Sequence, residues 1–143
     1  MEIRTLEQNE HDGLAYYRTW VNDIITSGMG IEYQLQSSES DIPYLDKVLS
    51  QGPYTENPAD ELTILGSVLG DAIAGTLNME WVVYTDADGA DFALAHKQKN
   101  VFVFPQDMLL KRAEQGTLGT IGEVYSATVE ALQAEIQQAE DRG

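Results

Sequence analysis

Residues 79–105, MEWVVYTDADGADFALAHKQKNVFVFP, decide the fold. Within them MEWVVYT, ADFALAH and NVFVFP are short, rich in β-branched and aromatic residues, and separated by turn-forming sequence. This pattern predicts a three-stranded antiparallel β-meander. Side-chain alternation puts Trp81, Val83 and Thr85 on one face and Glu80, Val82 and Tyr84 on the other, the Trp81 face being the more apolar. Between the first two strands lies DADG, and with Asp86, Asp88 and Asp91 around Gly89 it invites comparison with a calcium loop. Counted from Asp86, the fifth position is Ala90, the sixth is Asp91 instead of glycine, and the twelfth is Lys97 instead of glutamate. The pattern fails at the turn glycine and at the bidentate ligand. Asp86, Asp88 and Gly89 are therefore expected to form a tight hairpin turn, since Asp-Gly is favoured chemistry for such a turn.

Upstream of the meander the hydrophobic period is helical. In PADELTILGSVLGDAIAGTLN, from residue 58, Leu62, Leu65, Leu69, Ile73 and Leu77 mark a wide apolar face. Gly66, Gly70 and Ala74 recur every fourth residue and define a second face with almost no side-chain bulk. Each glycine in a helix interior costs ~1 kcal/mol relative to alanine. Close packing against that face is the compensation expected, by another helix or the sheet of the same domain, with a homodimer contact as the alternative. A membrane helix of this glycine spacing is ruled out by Asp60, Glu61 and Asp71.

Further toward the N-terminus, Leu14, Tyr17, Val21, Ile24 and Ile25 form a helical stripe beside Trp20, ended by Gly28 and Gly30. IEYQLQSSESD reads as a loop. Asp41 is placed to cap a short helix through IPYLDKVLSQG, with Gly52 past its end, and Asn57 to cap the helix from Pro58. After Pro105, QDMLLKRAEQG returns to a helical period. A last helix carries Val124, Ala127, Ala131, Leu132 and Ile136 on its inward face. The expected architecture is one α+β domain over residues 1–143, with helices on one face of a small sheet. It comprises N-terminal helices and loops in 1–57, a helix–meander–helix core in 58–125, and a C-terminal helix in 119–141.

Composition narrows the chemistry. The 143 residues contain no cysteine, which excludes disulfides, thiolate metal sites and a cysteine nucleophile. The two histidines, His11 and His96, have no metal-binding spacing, and neither a phosphate loop nor a nucleophile elbow occurs. No catalytic residue, metal or cofactor is expected. The 24 acidic against 8 basic side chains leave a net charge of −16. That charge disfavours nucleic acid and anionic membrane and favours a basic protein partner. A plainer reading is that the acidity only keeps the protein soluble. Absence of a basic and apolar leader in the first residues points to the cytoplasm.

Asp71 is the polar residue most in need of explanation, a carboxylate beside a close-packed helix face. Lys111 and Arg112 are the basic pair in the body of the domain, and Asp71 is expected to pair with one of them across helices. Leu65, Gly66, Gly70, Asp71, Trp81, Asp88, Gly89, Phe104, Pro105, Lys111 and Arg112, in this order, resemble a bacterial family of domains of unknown function. The resemblance runs from about residue 61 to 125. It implies a shared core in which Asp71 and the Lys111–Arg112 pair matter to the fold or to a common site, and it carries no activity. Three readings of function stand at this point. The first is a non-enzymatic acidic binding module, such as an immunity or inhibitor protein for a basic partner. The second is an enzyme or small-ligand domain with a polar pocket at Asp71, Trp81 and Lys111/Arg112. The third is a structural subunit self-associating through its glycine-lined helix.

Overall fold

The computed structural model describes residues 1–51, 58–96 and 100–142. The expected caps at Gly52 and Asn57 lie outside the described residues. A strand, β1 (Glu2–Thr5), leads into helix α1 (Gln8–Asp23), which continues through a π-helical turn at Ile24–Gly28. Helices α2 (Ile42–Gln51) and α3 (Pro58–Leu77) follow. Strands β2 (Glu80–Asp86), β3 (Gly89–His96) and β4 (Val101–Val103) then lead to helices α4 (Pro105–Glu114) and α5 (Ile121–Arg142).

The sheet has four antiparallel strands in the order β1-β2-β3-β4, one more than the meander alone. The added strand, EIRT, is exposed at every position and so shows no buried alternation that could mark it in the sequence. It occupies the free edge of β2, with Glu2 opposite Thr85 and Thr5 opposite Val82. The hairpin between β2 and β3 forms as expected, pairing Asp86 with Gly89. Asp86 Oδ1 accepts from the Asp88 backbone N–H at 2.9 Å, and Gly89 follows the turn at a φ of 126°, which glycine adopts readily.

Helix α3 is the centre of the core: Leu65, Val68, Leu69, Ala72 and Ile73 are all essentially inaccessible. Its glycine face meets α4, as close packing required. A Cβ at Gly66 would lie 2.5 Å from the Pro105 carbonyl oxygen, and one at Gly70 would lie 2.7 Å from the Trp81 ring and 2.9 Å from Pro105. The inward face of α5 is turned from the expected one. Ala127 and Ala131 are exposed, whereas Ile121, Tyr125, Thr128 and Val129 join Val124 and Leu132 inside. The two alanines fit the helical period almost as well, and the larger side chains took the burial because they remove more apolar area from water. The N-terminus of α5 is capped from α2, where the Asp46 carboxylate accepts from the backbone N–H groups of Ile121 (2.6 Å) and Gly122 (3.1 Å).

The helices cover the Trp81 face of the sheet. Val83 packs with Leu6, Leu14, Tyr17 and Trp81, while Leu94 and Val101 join the main core.

Candidate functional site

Arg18 lies on α1 one turn beyond Leu14 and one turn before Val21, on the helix face that is buried. Asp71 lies on α3 beside the glycine face, and Trp81 begins the inner face of β2. Packing of α1 and β2 against α3 brings the three together. Arg18 donates from Nε to Asp71 Oδ2 at 2.7 Å and from Nη2 to Oδ1 at 3.1 Å, a bidentate pair. Trp81 Nε1 donates to the same Oδ1 at 2.9 Å. Asp71 is buried, and the Arg18 guanidinium is held charged above its ordinary pKa chiefly by that hydrogen-bonded carboxylate, against a smaller opposing effect of burial.

This corrects the expected partner. Asp71 pairs across helices as its burial required, but with Arg18 and not with Lys111 or Arg112. Lys111 is exposed on α4, and the Lys111–Arg112 pair occupies the last turn of that helix, where cations complement the exposed carbonyls. A signal for Arg18 existed in the sequence: it is the one cation embedded in the apolar stripe of α1. Lys111 and Arg112 are conspicuous in the sequence as adjacent cations, a feature that says nothing of burial.

A cleft of about 330 Å³ opens beside this pair, lined by Arg18 and Asn22 of α1, Thr26 of the π-helical turn, Gln34 and Ser37 of the connecting segment, and Asp71. The segment over residues 33–38 is strapped to the helices by two side chains. Asn22 accepts from Leu35 N–H at 2.8 Å and donates to the Tyr33 carbonyl at 3.3 Å. Asp41, fully buried, accepts from the Tyr33 hydroxyl at 2.7 Å, from Gln36 N–H at 2.9 Å and from Ser37 N–H at 2.9 Å. The Tyr33 hydroxyl is pushed to a higher pKa by burial and by its bond to Asp41. Asp41 thus reaches back to the strap instead of capping α2. In this position its carboxylate gains three donors, where a cap would supply one or two.

Both buried carboxylates of the cleft have both oxygens occupied by protein donors. The arrangement can hold the strap and α1 on α3, and it presents a polar surface to solvent. Among the described residues no three His, Asp or Glu side chains gather as a metal site would need. Trp81 lies behind Asp71, and the expected constellation of Asp71, Trp81 and Lys111/Arg112 around one pocket is not assembled.

The fold and this buried clasp define an α+β protein with helices on one face of an antiparallel sheet. Residues 41–125, more than half of the chain, match the family described as Domain of unknown function (DUF3806), and the chain belongs to that family. The match begins at Asp41, earlier than the resemblance through residues 61–125, and contains Asp71 and Trp81 but not Arg18. No curated protein matches the chain. The fold is similar to a crystal structure from Bacteroides thetaiotaomicron VPI-5482 at 1.50 Å, with a TM-score of 0.77 and 17% identity over 91% of this chain. The chain spans about half, 47%, of that protein's length. Among the described residues no helix is long and apolar enough to cross a membrane.

Proposed function

We propose that this protein is a non-enzymatic, cytoplasmic binding module whose acidic surface receives a basic protein, as an immunity or inhibitor protein would receive a basic toxin. The observation that carries the reading is the disposition of charge. Of the eight basic side chains, Arg4 and Arg18 are held in ion pairs with Glu10 and Asp71. Carboxylates meanwhile stand exposed on separate elements: Asp86, Asp88 and Asp91 at the hairpin, and Glu123, Glu130 and Glu135 along α5. A surface of this sign attracts a basic partner over a distance of about one Debye length and raises the association rate, more strongly at low salt.

The other two readings have less support. The glycine face that would serve a self-associating subunit is filled by Pro105 and Trp81 of the same chain. The ligand reading needed Lys111 and Arg112 beside Asp71, and α4 holds them elsewhere. The test is affinity capture from native lysate at low and high salt. One basic protein retained at stoichiometric level and released by salt is the expected outcome. Retention of no protein, or retention indifferent to salt, refutes the reading.

A further inference from the structure

The cleft beside the Arg18–Asp71 pair brings together a cationic edge and a carboxylate that the fold does not use. Asp71 takes the Nε–Nη2 edge of the Arg18 guanidinium. The outer Nη1–Nη2 edge has no protein acceptor among the described residues, and the Arg18 side chain is 38% exposed where it lines the cleft. That edge is a second fork of parallel N–H groups, the geometry that grips a planar carboxylate. Asp23, at the end of the same helix, also lines the cleft. It is exposed, and its carboxylate neither caps the π-helical turn nor meets a cation among the described residues. Asp41 and Asp71, by contrast, are already committed to protein donors.

The opposite wall of the cleft is set in place by the fold. Asn22 and Asp41 hold the segment over residues 33–38, and the Tyr33 ring stacks on Tyr44 with centroids 3.8 Å apart. Ser37 is kept at a φ of 53°, with its carbonyl oxygen so close to Gly75 that a Cβ there would overlap it. A residue other than glycine in that left-handed region carries a conformational cost, here met by the surrounding hydrogen bonds. Gln34 and Ser37 of this wall, with Thr19 of α1, line the cleft with exposed amide and hydroxyl groups. A wall fixed beforehand lowers the ordering cost of binding.

We propose that the cleft binds a small zwitterion of the amino-acid type, a free amino acid or a dipeptide, with its carboxylate on the outer edge of Arg18 and its ammonium toward Asp23. Charge decides the class. An anion alone would face Asp23 and a molecule of net charge −16, whereas a cation alone would face Arg18 and leave its fork unused. A zwitterion serves both groups and brings no net charge. The volume of about 330 Å³ suits a ligand of this size. The inference stands apart from the reception of a basic protein, which calls on neither the Arg18 fork nor the cleft.

The test titrates the full chain with L-alanine and with L-alanyl-L-alanine, read by backbone amide NMR. Saturable shifts at residues 18–26 and 34–37 are expected, and the tighter ligand tells a free amino acid from a dipeptide. The N-acetyl form of that ligand lacks the ammonium and its C-terminal amide lacks the carboxylate; each should bind about tenfold more weakly. Asp23→Asn, at an exposed position without a protein partner, should weaken the zwitterion about fivefold and erase the discrimination against the N-acetyl form. Arg18→Lys keeps the charge but removes the fork, and should erase the discrimination against the amide. Thermal melts show whether that variant is folded, and Asp23→Asn decides the matter if it is not. Glu130→Gln on α5 should leave binding unchanged. No saturable shift with either zwitterion in the millimolar range, equal binding of the blocked forms, or unaltered affinity in Asp23→Asn would each overturn the proposal. Capture of a basic protein from lysate is decided separately, so the two readings fail independently.

Discussion

Replacing Asp71 with alanine removes the acceptor for three donors at once, two from Arg18 and one from the Trp81 indole. Breaking a fully buried ion pair by deleting one partner costs ~3–5 kcal/mol. Here the Arg18 side chain is 38% exposed, so the freed guanidinium recovers water and the loss from the pair falls well below that range. The indole N–H is then left without its acceptor, and an orphaned donor costs ~1–3 kcal/mol. The combined expectation is a loss of ~2–4 kcal/mol, or roughly 6–14 °C in Tm for a domain of this size. Urea unfolding followed by tryptophan fluorescence measures it, and Trp81 reports its own changed surroundings. A double-mutant cycle of Asp71→Ala with Arg18→Ala should show a coupling of at least ~1 kcal/mol, whereas a cycle with Lys111→Ala should show none. A loss under ~0.5 kcal/mol for Asp71→Ala, or coupling to Lys111 in place of Arg18, would refute the clasp.

Three further outcomes are expected. Gly70→Ala should destabilise the protein by ~1–3 kcal/mol because its Cβ would meet Trp81 and Pro105, whereas Gly13→Ala, which meets nothing within 4 Å in the exposed part of α1, should stabilise it by ~0.5–1 kcal/mol; paired thermal melts check both signs. Asp46→Ala should cost about 1–2 kcal/mol by uncapping α5, with Asp46→Asn retaining most of the loss, and chemical denaturation measures both. The Glu10 carboxyl is lowered to about 2 chiefly by its hydrogen bonds to Arg4 and then to the Glu7 backbone. Because the folded pKa lies below the unfolded one, its contribution is fully present above about pH 4.5 and disappears as pH falls toward 2. Stability measured across that interval should decline less steeply in Glu10→Gln than in the native protein, and equal slopes would contradict the assignment.

How much of this was legible differs with the kind of information each feature needs. The β2–β4 meander, its Asp-Gly hairpin and the main helices were readable because alternation, helical period and turn chemistry are set by residues close together in the chain. The bare face of Gly66 and Gly70 announced that something must pack there, since two glycines in one helix are costly without it. Its occupant, Pro105, was not announced. Strand β1 was hidden because all four of its residues are exposed, so only the vacant edge of β2 makes it a strand.

The polar partnerships lay beyond sequence reading for a different reason. Asp71 and Arg18 are 53 residues apart, and Asp46 and Ile121 are 75 apart. Burial made it a physical requirement that Asp71 find a donor, and that requirement could be stated from the sequence. Which cation satisfied it depended on how α1 and α4 lie on α3, a matter of packing that no local pattern encodes. The sequence by itself therefore determined the meander and the main helices, the acidic balance and the need for a partner at Asp71. Tertiary structure decided the identity of that partner, the backward reach of Asp41, and which face of the sheet the helices cover. Periodicity is a local property of the chain, whereas a hydrogen-bond partner or a covered face exists only once distant elements have docked.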